Sequence, residues 1–82
     1  MRALVEPAHT VQAANEHWEK LIATVEAGKA STGDVTVLLG WVAVQRGRLD
    51  EQAHLITNIE VASAKRTLDR AERCFRSYLE RS

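Results

Sequence analysis

Leu39-Gly40-Trp41-Val42-Ala43-Val44-Gln45-Arg46-Gly47-Arg48-Leu49-Asp50-Glu51 decides how this chain reads. An apolar run stops at Gly47, and a second amphipathic segment starts behind it. One helix, a glycine turn and the beginning of another helix are expected. Such a helical hairpin is a unit that proteins stack or use to hold other proteins.

Upstream of this stretch, Val35, Val37, Leu39 and Trp41 alternate, and β-branched residues favour strands. The same residues also fit helical faces, with Val35, Leu38, Leu39 and Val42 on one and Val37, Trp41 and Val44 on another. A strand would find no mate in a chain that otherwise reads as helical, so a helix over 34–46, buried on both sides, is expected. Gly40 costs that helix ~1 kcal/mol in propensity. Close backbone approach by a neighbouring helix is the expected compensation.

Towards the N-terminus, Val11, Ala14, Trp18, Leu21, Ile22 and Val25 recur at three and four, the spacing of one helical face. Thr10 is a candidate N-cap and Gly28 a candidate C-cap, which predicts a helix over 11–27. Residues 1–9, with Pro7, read as a flexible lead. Ser31 with Asp34, or Asp34 alone, is placed to cap the second helix.

Beyond Gly47 no Pro or Gly interrupts the chain, and a last helix over 48–80 is predicted, with a kink near Thr57-Asn58 as a variant. Ala53, Val61, Ala64, Leu68, Ala71, Phe75 and Tyr78 fall on one side of it, with Leu55, Ile59 and Ala62 roughly opposite. The opposite group is either wrapped within the monomer or meets a second chain. The fold class expected is all-α: a single three-helix domain over 10–82, with a helical hairpin and a long C-terminal helix. Trp18, Leu21, Leu38, Leu39, Val42, Ile56, Leu68 and Phe75 are its candidate core.

Size and composition narrow the function. Eighty-two residues make one domain, and a chain this short buries only ~60% of its unfolded surface. Eleven basic and eleven acidic residues give zero formal charge, which disfavours a dedicated nucleic-acid binder. Residues 65–82 are locally basic, but Asp69/Arg73 and Glu72/Arg76 are spaced for helix-supporting ion pairs. A lone cysteine, Cys74, fits a reducing compartment, and no signal peptide is read at the N-terminus, so a cytoplasmic location is expected. The longest uncharged stretch, 35–45, is too short for a bilayer, which needs ~20 residues.

Catalytic chemistry finds no support. His9, His17 and His54 stand at no recognised metal spacing, and zinc needs about four convergent ligands. Cys74 has no neighbouring base to activate it. Gly28-Lys29-Ala30-Ser31-Thr32-Gly33 lacks the order of a phosphate-binding loop. No catalytic, cofactor-binding or metal-ligating residue is assigned, and no cofactor is expected.

The segment 36–60 resembles a degenerate tetratricopeptide repeat. Leu39-Gly40 sits at that family's Leu-Gly, Gly47 at its turn glycine, Leu49 at its aromatic or Leu, and Asp50-Glu51 at its acidic pair. The pattern departs at Gln52, where a small residue belongs, and no proline closes the repeat. The resemblance implies peptide or helix binding without catalysis, as in scaffolds and small chaperones.

The reading that follows is a non-catalytic protein-interaction module: a chaperone, adaptor or assembly subunit. Its partner is another protein or a second copy of itself. Trp41, Leu55, Ile59 and Tyr78 are the candidate apolar contacts, with Arg70 and Arg73 as a charged rim. A small dimeric nucleic-acid-binding regulator and an inhibitor or immunity protein are the alternatives.

Overall fold

A computed structural model describes residues 11–81 and contains three α-helices: α1 (Val11–Glu26), α2 (Thr32–Gln52) and α3 (Asn58–Arg81). No strand occurs among the described residues, and the all-α, three-helix expectation holds. The expectations for the lead segment, Pro7, His9 and the Thr10 cap lie outside the described residues.

Helix α1 ends as its glycine requires. Gly28 has φ +75°, the left-handed region that favours glycine. The Gly28 N–H donates to the Val25 carbonyl at 3.0 Å and the Lys29 N–H to the Thr24 carbonyl at 3.1 Å. These two bonds form a Schellman motif, which satisfies carbonyls that the helix end leaves open. Three residues later Ser31 opens α2 with a capping box. Its Oγ accepts the Asp34 N–H at 3.1 Å, and Asp34 Oδ2 accepts the Ser31 N–H at 3.2 Å.

The hairpin turn lies elsewhere than expected. Gly47 does not end α2: the helix runs through it to Gln52, and Gly28 is the only glycine with positive φ among the described residues. The chain turns at a short 3-10 segment, Ala53–Leu55, followed by an extended Ile56. The second helix therefore spans 32–52 instead of 34–46, and the third starts at Asn58 instead of 48. Thr57 and Glu60 explain the new start. Thr57 Oγ1 accepts the Glu60 N–H at 3.1 Å, and Glu60 Oε1 accepts the Thr57 N–H at 3.0 Å. This second capping box outcompetes a continuous helix, and what reads as a kink near Thr57-Asn58 is a full break.

Helix α3 is the spine. Both α1 and α2 pack along it and make little contact with each other. The core comprises Trp18, Ile22 and Val25 from α1, Val35 and Val42 from α2, and Leu68, Ala71 and Phe75 from α3. Phe75 and Val35 are fully enclosed, and the Trp18 and Phe75 rings stand 6.3 Å apart. Leu21, Leu38 and Leu39 pack around this centre, whereas Ile56 is only half-buried in the turn.

Ion pairs and polar ties brace the rim. Arg70 on α3 grips Glu19 on α1 with two guanidinium N–H groups, Nη2 donating to Oε1 at 2.9 Å. Arg46 on α2 reaches Asp69 at 2.6 Å and Glu72 at 2.7 Å on α3. The Tyr78 hydroxyl donates to the Ala30 carbonyl at 2.7 Å, holding the α1–α2 loop against the far end of α3. The molecule measures 39 × 27 × 17 Å. Its long dimension is close to the ~36 Å that the 24 residues of α3 span at 1.5 Å each.

Candidate protein-binding surface

The composition of α2 sets up two apolar seams. Residues 33–46 contain one pattern twice: Gly33-Asp34-Val35-Thr36-Val37-Leu38-Leu39, then Gly40-Trp41-Val42-Ala43-Val44-Gln45-Arg46. Seven residues are close to two helical turns, so equivalent positions in the two halves share a face. The first valine of each half, Val35 or Val42, is buried against α3. The second, two residues on and about 200° further round the helix, points away from the core. Val37 keeps 58% of its surface exposed and Val44 49%. Trp41 lies between them and is 51% exposed.

The expectation that α2 is buried on both sides is therefore wrong. Helix α1 docks on α3 and leaves α2 with a single neighbour, so one seam is filled and the other is bare. Gly40 likewise has no close helix beside it: a Cβ built there, or at Gly47, meets nothing within 4 Å. An apolar helix is stable when it is covered all round. Soluble monomers rarely leave contiguous large side chains such as these facing water without a binding role.

The expected contact residues do not form one surface. Trp41 sits at the middle of the bare α2 face. Leu55 and Ile59, 70% and 80% exposed, flank the turn into α3, so they are not wrapped within the monomer. Ile59 borders a groove of about 390 Å³ between α1 and α3, whose walls include Val11, Asn15, Glu16, Glu60 and Ser63. Tyr78 lies nineteen residues further along α3 than Ile59, ~28 Å at helical rise. It is half-buried and tied to Ala30. Arg70 is engaged with Glu19, which holds its guanidinium pKa above the usual value, while Arg73 is exposed on α3.

Valines 37 and 44 were not singled out as contacts from the sequence, although the Gly-x-Val-x-Val repeat marks them. Some of the remaining titratable groups carry structural duties. Glu72 accepts the Arg76 Nε–H at 2.7 Å and faces Arg46. Its hydrogen bond to Arg76 draws its pKa below the ordinary carboxyl value, against a partly opposing effect of burial. Cys74 packs against the core. Burial pushes its thiol pKa up, reinforced by Glu26, and outweighs the opposite pull of Arg81 and Arg70. That is the reverse of an activated nucleophile. Among the described residues no group of three His, Cys, Asp or Glu side chains is placed to hold a metal. No helix among them is long and apolar enough to cross a membrane.

Comparisons with protein-family models, curated proteins and solved structures find no match to this chain.

Proposed function

We propose that this chain is a non-catalytic protein-binding module, an adaptor, small chaperone or assembly subunit, that presents the outer face of α2 to its partner. The bare seam of Val37, Trp41 and Val44 carries this reading. Partner helices engage apolar positions spaced three and four apart, which is the spacing of this seam, and tryptophan is enriched among residues that dominate binding energy. The segment 36–60 that resembles a tetratricopeptide repeat contains the same seam, but its turn glycine, Gly47, lies inside α2, so the reading rests on the seam and not on the resemblance. Ile59 offers a further exposed apolar contact at the rim of the α1–α3 groove, and Leu55 another in the turn before α3.

The charge pattern supports protein over nucleic acid as the partner. Arg70 and Arg76 are matched to carboxylates, which reduces what the locally basic α3 offers to phosphates.

Crosslinking in the native cell, purification and mass spectrometry test the reading. A stoichiometric protein partner, or a second copy of the chain, is expected with crosslinks to α2. Trp41→Asp is expected to lose it at unchanged helicity, and Ile59→Asp to retain it. Copurification of nucleic acid alone would overturn the proposal, as would partner recovery that is indifferent to both substitutions.

A further inference from the structure

We infer that the bare face of α2 pairs with the same face of a second copy, antiparallel, about a two-fold axis at Gly40. This deepens the protein-binding reading and rests on it. A surface that binds its own copy across a two-fold axis must be self-complementary, each residue meeting a partner residue that meets it in return. The outer face of α2 has that property. Between Asp34 and Arg48 it carries no charge, and the two ends carry opposite charges fourteen residues apart, ~21 Å along the helix. Antiparallel pairing sets Asp34 of each copy beside Arg48 of the other. Parallel pairing would set like charges together at both ends. Arg48 makes no ion pair among the described residues, so it is available for this contact.

The apolar positions obey the same symmetry. Val37 and Val44 lie three residues before and four after Gly40, so the two-fold brings Val37 to within about 1.5 Å, one residue's rise, of the partner's Val44 along the helix. Gly33 meets the partner's Gly47, and the two Gly40 residues face each other on the axis. No side chain holds the backbones apart there, and a Cβ at Gly40 would meet nothing in the monomer. Trp41 then lies across the partner's Gly40, filling space that glycine leaves. The close helix approach expected for Gly40, which the monomer does not provide, is supplied by the second copy. Because the bare face of α2 points away from α3, the assembly continues the layer of helices outward without disturbing the core.

Cysteine crosslinking reads the register directly, in a Cys74→Ser background with a mild oxidant. Gly40→Cys is expected to form a disulfide dimer, since a disulfide needs Cβ atoms ~3.5–4.5 Å apart. Gly47→Cys alone is expected to give none, and Gly33→Cys with Gly47→Cys to give a dimer. Equal crosslinking through Gly40→Cys and Gly47→Cys would overturn the antiparallel register. Sedimentation of the wild-type chain from about 1 µM to about 1 mM is expected to show monomer converting to dimer. Trp41→Asp should weaken that association by about thirtyfold or more. A monomer throughout the series overturns the inference. If that monomer still takes up a different protein in a Trp41-dependent manner, the protein-binding reading survives. If the face takes up neither, both fall.

Discussion

At the scale of single residues, the glycines separate by backbone and surroundings, not by residue type. Gly28 stands at positive φ, where any other L-residue is strained by roughly 1–2 kcal/mol. Gly47 stands in ordinary helix with open space around its Cα. Gly28→Ala is therefore expected to destabilise the fold by about 1 kcal/mol. Gly47→Ala should stabilise the dilute monomer by about 0.8–1 kcal/mol through helix propensity. Urea denaturation of both variants beside the wild type checks the opposite signs. Equal loss in both would mean that Gly47 ends α2 after all. Read from sequence, the two glycines look alike. Glycine after an apolar run is a C-cap signal in both places, and only a left-handed backbone realises it.

At the scale of elements, the start of α3 shows how capping governs helix boundaries. Thr57-Asn58-Ile59-Glu60 has the spacing of a capping box, and the hydrogen bonds of Thr57 and Glu60 complete it. Thr57→Ala is expected to cost about 1 kcal/mol. It should also raise amide hydrogen exchange in the first turn of α3 while leaving the turn around Phe75 protected. Uniform loss of protection along α3 would instead point to a role for Thr57 in the core. The signal was present in the sequence, but Gly47 competed with it and drew the boundary ten residues too early. The Gly28 terminus was legible as it stands, and the Ser31 box was one of two caps the sequence offered, with Asp34 alone as the other.

On the scale of the whole molecule, the ion pairs between helices tie α1 and α2 to the α3 spine on which both pack. Glu72 links Arg46 of α2 with Arg76 of α3, and its carboxyl pKa is lowered in the fold. A carboxylate lowered in this way stabilises the fold at and above its unfolded value, ~4.3, and that contribution disappears as pH falls through the lowered folded value. The urea midpoint of wild type should therefore exceed that of Glu72→Gln at neutral pH, and the gap should close in acid, below roughly pH 4. Raised salt should narrow the gap, because these groups lie at the surface. A gap that persists unchanged at low pH and high salt would show that the charge of Glu72 contributes nothing.

The helical class, the α1 face of Trp18, Ile22 and Val25, the α3 stripe of Leu68, Ala71 and Phe75, and the Gly28 and Ser31 ends were written in the sequence itself. Each depends on periodicity or capping within a few neighbouring residues. Which of the two seams of α2 would be covered was not written there. Val35 and Val37 are the same residue type two positions apart, and their environments diverge because α1 and α2 both pack on α3 and make little contact with each other. Burial is a property of what arrives from elsewhere in the chain, so the packing of α3 alone decided that Val35 lies inside and that Val37, Trp41 and Val44 face outward.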